Sequence, residues 1–211
     1  MDDAEKIEVL YVLQDELEPD RELLEAPYQG PAKKTGREHR GANDQIPVCL
    51  EAGIYCYFKP INGVDATTAD ALGHTIVSAT LAECAAWRLA HALGGVFAEI
   101  VVPQVLRQLD DVDPLAPGAL CRRREGKPQS DEPFAKVREQ CLAAAFFDSL
   151  IGQQDRNKNN WLWHDASGEF RLIDHGFAFA RPGDTFVNLR FTRWRWGKKE
   201  QQLVDDERSK P

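Results

Sequence analysis

The order of sequence patterns predicts an α+β fold with an antiparallel sheet in its first half. Short β-branched and aromatic runs come first, then an apolar-faced helix and further strands. A polar connection, a second helix and a hairpin follow. Strands that cluster before the helices, instead of alternating with them, exclude a doubly wound parallel sheet. At 211 residues the chain is long enough for one core or for two small lobes sharing a cleft.

The run Lys6–Leu13, KIEVLYVL, predicts a strand, and the acidic stretch after it a helix. Residues 27–47 are rich in Gly, Pro and charge and predict a loop. Val48–Leu50 and Gly53–Lys59 predict two strands joined at Glu51–Gly53, with Ile61–Gly73 a further loop. Apolar residues at Leu81, Cys84, Ala85, Leu89 and Leu93 recur at intervals of three and four, so Ser78–Leu93 predicts a helix ended by Gly94–Gly95. Glu99–Leu106 and Ala119–Arg123 are the next expected strands. The polar connection Glu125–Pro133 marks the boundary between an N-terminal lobe, 1–124, and a C-terminal lobe, 125–211. Phe134–Leu150 predicts a second helix. Trp161–His164 and Phe170–Ile173 predict a hairpin turning at Asp165–Gly168.

Composition narrows the function classes. The net charge of −8 is local: residues 1–26 hold ten acids and two bases, and residues 27–211 are neutral. Five scattered cysteines form no CxxC pair, which argues against a zinc site or a disulfide framework. No signal-peptide pattern or membrane-length apolar run is present, and the expected setting is cytoplasmic. The basic–aromatic run Asn188–Lys199 reads as a structural element with its aromatics packed, so nucleic acid is not an expected partner.

The segment Ile151–Ala180 carries the chemistry. Asp155, Asn160 five residues on, and Asp174 after a short apolar strand surround the expected hairpin. Phosphoryl transfer needs an Asp near the attacking hydroxyl, an Asp and an Asn on Mg2+, and a Lys on the phosphates. Asp155 and Asn160 have the D-x4-N spacing of a kinase catalytic loop, and Asp174 opens a D-x-G triplet. Lys59 ends an apolar strand, and Glu83 lies early in the next helix, where it can brace that lysine.

These residues resemble the HipA-like kinases and the phosphatidylinositol 3/4-kinase-like group, an atypical branch of the protein-kinase-like fold. The family pattern D-x-x-x-G-N-x-D-R-H-x-x-N stands here as DSLIGQQDRNKNN over Asp148–Asn160, followed by Ile173-Asp174-His175-Gly176. Upstream, YCYFKP over Tyr55–Pro60 looks like the family's V-Y-K-P strand, LAECAAW from Leu81 like its R-E-x-A-A helix, and VPQVL from Val102 like its V-P-x-T-x strand. Together these cover most of residues 48–196.

The resemblance implies a reduced two-lobed kinase with an antiparallel N-lobe sheet and a minimal C-lobe, since 37 residues follow Asp174. It implies ATP and Mg2+ as cofactors, Asp155 as the catalytic carboxylate, and Asn160 and Asp174 as metal ligands. Lys59, supported by Glu83, would contact the phosphates, and the strand around Leu120–Arg122 would lead to the adenine. The expected acceptor is a protein serine or threonine, or a small hydroxyl-bearing molecule, with an antitoxin-type or regulatory protein as a further partner.

Three departures qualify this. Asn157 replaces the family's His, Gln153 replaces its Asn, and no glycine-rich loop precedes Lys59. The backbone at Gly41-Ala42-Asn43-Asp44 is the candidate phosphate cap, with Asn43 counted among the cofactor-binding residues. The alternative function is a catalytically impaired pseudokinase that binds nucleotide and regulates a partner.

Overall fold

The structure is a computed structural model and describes residues 2–14, 18–32, 44–126, 138–157, 159–164 and 166–179. Asn43, the basic–aromatic run 188–199 and most of the connection at 125–133 lie outside the described residues, as does the expected lobe boundary beyond Gly126.

The chain opens with helices α1 (Asp3–Gln14) and α2 (Glu18–Glu25). The strand expected at Lys6–Leu13 is therefore a helix. The cause is a reciprocal cap: Asp2 Oδ1 accepts from the Glu5 N–H at 2.9 Å, and Glu5 Oε2 accepts from the Asp2 N–H at 2.8 Å. This Asp-x-x-Glu cap outweighs the β-branched composition behind it. Ile7 and Leu10, three apart, then fall on one helical face and pack beside Leu81, Cys84 and Leu106.

A five-stranded antiparallel sheet follows, in the order β1-β2-β3-β5-β4. Its strands are β1 (Tyr28–Pro31), β2 (Ile46–Leu50), β3 (Ile54–Pro60), β4 (Gln104–Arg107) and β5 (Gly118–Arg122). β1 lies inside the stretch expected to be a loop. It is an edge strand with a bulge between Tyr28 and Gly30, where Gly30 takes φ 139°. Part of the second expected loop is helix α3 (Ala66–Ala71), because Asp65 accepts from the Thr68 N–H at 2.7 Å and caps it.

Helix α4 (Ile76–Leu93) matches its periodicity, starts on a Thr75/Ser78 capping box and stops at Gly94, φ 68°. Of the expected strand Glu99–Leu106, the first two residues close helix α5 (Gly95–Ile100), while Gln104–Leu106 is strand, in β4, which begins after Pro103. Pro103 offers no N–H to the ladder. Helix α6 (Arg138–Ile151) follows, then the expected hairpin of β6 (Trp161–His164) and β7 (Glu169–Leu172), its second strand one residue earlier than the expected Phe170–Ile173.

The two faces of the sheet lead to different cores. Val48, Leu50, Cys56, Phe58, Val105 and Leu120 pack with Leu23 of α2 on one face. On the other, Leu106 and Ala119 meet Leu81 and Cys84 of α4. Further along α4, Ala86, Trp87 and Ala90 join a third cluster with Phe147 of α6 and Trp161, Trp163, Phe170 and Leu172 of the hairpin. α4 thus binds the sheet to the helix-and-hairpin half, with polar residues of both halves brought together along it.

Candidate functional site

Lys59 sits near the end of β3, where its neighbours Phe58 and Pro60 are buried. Its side chain is 7% exposed and its ammonium is salt-bridged to Glu83 Oε1 on α4 and to Asp174 Oδ1 at 2.9 Å. The second Glu83 oxygen accepts the His175 N–H at 2.8 Å. Three elements distant in sequence therefore meet at one buried cation flanked by two carboxylates.

The electrostatics follow from that arrangement. Burial opposes the charge on Lys59, but Asp174 and Glu83 outweigh it and hold the ammonium protonated well above its ordinary range. Burial pushes the Glu83 carboxyl up, against the pull of Lys59. For Asp174 burial also pushes upward, yet the charge and hydrogen bond of Lys59 win and its carboxyl falls to about 2. Asp174 is the wetter of the two acids, 31% exposed against 2% for Glu83, so it remains the anion open to solvent.

The backbone at Asp174 takes φ 62°, a left-handed conformation uncommon for a residue with a Cβ. Its surroundings hold it there. Gln153 Nε2 donates to the Asp174 carbonyl at 3.0 Å, and the next N–H is fixed on Glu83. Strain retained in this way is a recurrent property of functional positions.

Arg156 organises the loop. Its Nε and Nη2 donate to the two Asp148 oxygens at 2.9 and 3.1 Å, and its Nη1 donates to the carbonyls of Ile173, at 2.6 Å, and Asn160. Both Arg156 and Asp148 are buried. One planar guanidinium thus ties α6, the Asp155 loop and the chain just before Asp174 together.

Asp155 is half-buried, and both its oxygens accept amide hydrogens: Oδ1 from Asn157 Nδ2 at 3.0 Å and Oδ2 from Asn160 Nδ2 at 3.3 Å. Asn160 also donates to the Asp155 carbonyl at 2.7 Å. Burial raises the Asp155 carboxyl above its ordinary value, and the charge of nearby Asp174 adds to the rise.

Of the six residues singled out in the sequence, Lys59, Glu83 and Asp174 are in direct contact. Asp155 and Asn160 contact each other and are joined to Asp174 through Arg156. The sequence places Asp148 and Arg156 in the motif without a role and marks Gln153 only as a departure from it. The available signal was the Asp-Arg dipeptide itself: an arginine amid apolar strands needs a buried carboxylate, and Asp148 is the one that α6 supplies.

The donor chemistry suits a magnesium nucleotide. Mg2+ takes oxygen ligands and is held by one or two carboxylates together with substrate phosphates. The Asp174 carboxylate and the Asn160 amide oxygen are such donors, and Lys59 offers ammonium hydrogens to phosphate. Among the described residues no cluster of three or more His, Cys, Asp or Glu could form a cage for a metal by itself. No helix among them is long and apolar enough to cross a membrane.

No family model matches the chain, and no curated protein does. Among solved structures it is similar to one described as a proinflammatory kinase, CtkA, of Helicobacter pylori, at 13% identity and a TM-score of 0.47. That likeness covers 85% of this chain and 66% of the other, so the chain spans just under two thirds of its neighbour's length. A likeness at that level carries neither fold nor activity across.

Proposed function

We propose that the chain is an ATP- and Mg2+-dependent kinase of reduced two-lobed form, with lobes at 1–124 and 125–211, akin to the HipA-like and phosphatidylinositol 3/4-kinase-like enzymes. The observation that carries this reading is the meeting of Lys59, Glu83 and Asp174 from β3, α4 and the segment after β7. A fully satisfied structural ion pair needs only one acid. The second, half-open carboxylate beside the same ammonium is what a polyanion with its divalent cation requires.

ATP supplies the transferred γ-phosphoryl group, and Mg2+ neutralises its oxygens. Lys59 sets a positive charge against the phosphates, and Glu83, which touches no substrate, positions it. Asp174 and Asn160 hold the metal. Asp155 orients the acceptor hydroxyl and takes its proton, a role suited by a carboxyl pushed upward through burial. The acceptor is a serine or threonine of a protein, or a small hydroxyl-bearing molecule, and a regulatory or antitoxin-type protein is the partner we propose. The proposed setting is cytoplasmic.

A second reading, a nucleotide-binding regulator without transfer, is favoured by one contact: Asn157 and Asn160 between them occupy both oxygens of Asp155. Incubation with γ-labelled ATP and Mg2+ separates the two. The kinase reading expects label in protein or phosphate, lost in Asp155→Asn and Asp174→Asn. Unlabelled wild-type protein that still binds Mg·ATP would leave the regulator.

A further inference from the structure

Gln104 opens β4 with its side chain amide buried and neither Nε2 nor Oε1 hydrogen-bonded. Whichever way the amide is turned, both ends lack a partner. Leaving a buried donor and a buried acceptor unmade is costly, and native interiors rarely tolerate both on one side chain.

The register locates this amide. In an antiparallel sheet directly paired residues share a face. Tyr57, Cys121 and Gln104 form one cross-strand row, and Lys59, Ala119 and Leu106 form the row two residues along. Lys59 bonds to Glu83 of α4, while Ala119 and Leu106 pack beside Cys84 of α4, so both rows look toward that helix. The thiol of Cys121, between Gln104 and Tyr57, feels the charges of Lys59, Glu83 and Asp174. Two interstrand steps of roughly 4.8 Å and two residues of roughly 3.4 Å separate Gln104 from Lys59, about 12 Å between backbones.

We propose that Gln104 reads the base of the nucleotide whose phosphates lie at Lys59, and that the base is adenine. This rests on the nucleotide reading above. A glutamine amide matches the adjacent exocyclic amine and ring nitrogen of adenine, donor to acceptor and acceptor to donor. The separation along and across the sheet is that of a nucleotide's base from its phosphates. The orphaned amide gains both missing hydrogen bonds on binding, which makes Gln104 a specificity-determining residue.

The test compares affinity for ATP with affinity for purine riboside triphosphate, which lacks the exocyclic amine, in wild-type protein and in Gln104→Leu. Wild type should prefer ATP at least about fivefold, the lower end of one bidentate amide–base pair. Gln104→Leu should bring the ratio near one without lowering the melting temperature, since it removes an unsatisfied amide. Wild-type protein that binds both equally, or a variant that keeps the ratio, overturns the assignment and leaves a buried water as the amide's partner. Wild type that binds no ATP overturns the phosphotransfer reading and this inference together, whereas binding without discrimination overturns this inference alone.

Discussion

Lys59 Nζ donates to Asp174 Oδ1 at 2.9 Å across a sequence separation of 115 residues. That bond crosses from the sheet to the segment after the hairpin, and Glu83 closes the triangle by bonding to Lys59 and to the N–H of His175. The site is therefore sensitive to anything that shifts one half of the molecule against the other.

Arg156→Met should be among the most destabilising substitutions in the second half of the chain. It keeps much of the volume but takes the guanidinium away from both oxygens of the fully buried Asp148 and from the Ile173 carbonyl, and leaves the Asn160 carbonyl with the Ile173 N–H alone. Breaking a buried pair from one side costs about 3–5 kcal/mol. Urea denaturation checks this, and a loss under about 1 kcal/mol would show that the pair is not what ties the loop down.

Gly118→Ala should weaken both the fold and nucleotide binding. A Cβ there would meet the Lys59 carbonyl at 2.5 Å and the Phe58 ring at 2.7 Å. Neither can yield without moving β3, so overpacking of about 1–3 kcal/mol is expected, together with displacement of Lys59. Thermal melts and ATP titration read the two effects; an unchanged variant would place β3 and β5 further apart than the ladder requires.

Stability should fall as pH drops below 6.5. Burial, reinforced by the charges of Arg156 and Lys59, holds His175 well below its ordinary 6.5, and burial alone lowers His74. His175 stays neutral in the fold and His74 resists protonation, while the unfolded chain takes up protons below pH 6.5. The unfolded state then binds more protons, so the free energy of unfolding decreases with acidity. His175 packs edge-on against Phe147 at a ring distance of 6.1 Å, a place that suits phenylalanine. His175→Phe should shrink the stability difference between pH 7.5 and pH 5 by about 1–2 kcal/mol, measured by denaturation at both values. A variant with the wild-type slope would refute the assignment to His175.

Much of this was legible in the sequence, and the misses have physical causes. The hairpin β6–β7 shows its period because alternate residues of each strand are buried, and helix α4 is legible from its apolar length and its glycine stop. Lys59 and Glu83 stand out because charges in apolar elements need partners. Helix α1 was misread because Ile7, Val9 and Val12 weigh toward a strand, whereas Asp2 and Glu5 decide the outcome through hydrogen bonds that composition does not register. Helix α5 was missed because six residues are too few to show a period. The part of the bracing that Arg156 and Gln153 supply through main-chain carbonyls leaves no pattern in side-chain identity, whereas the Arg156–Asp148 pair is signalled by the buried arginine's need for an acid.

On the proposed reading Lys59 and Asp174 meet on a magnesium triphosphate. Calorimetric titration with ATP, with and without Mg2+, tests it most directly in wild type, Lys59→Ala and Asp174→Ala. Expected are Mg2+-dependent binding in the wild type, a loss of at least about tenfold in Lys59→Ala, and loss of the Mg2+ dependence in Asp174→Ala. Wild-type affinity retained in both variants would contradict it.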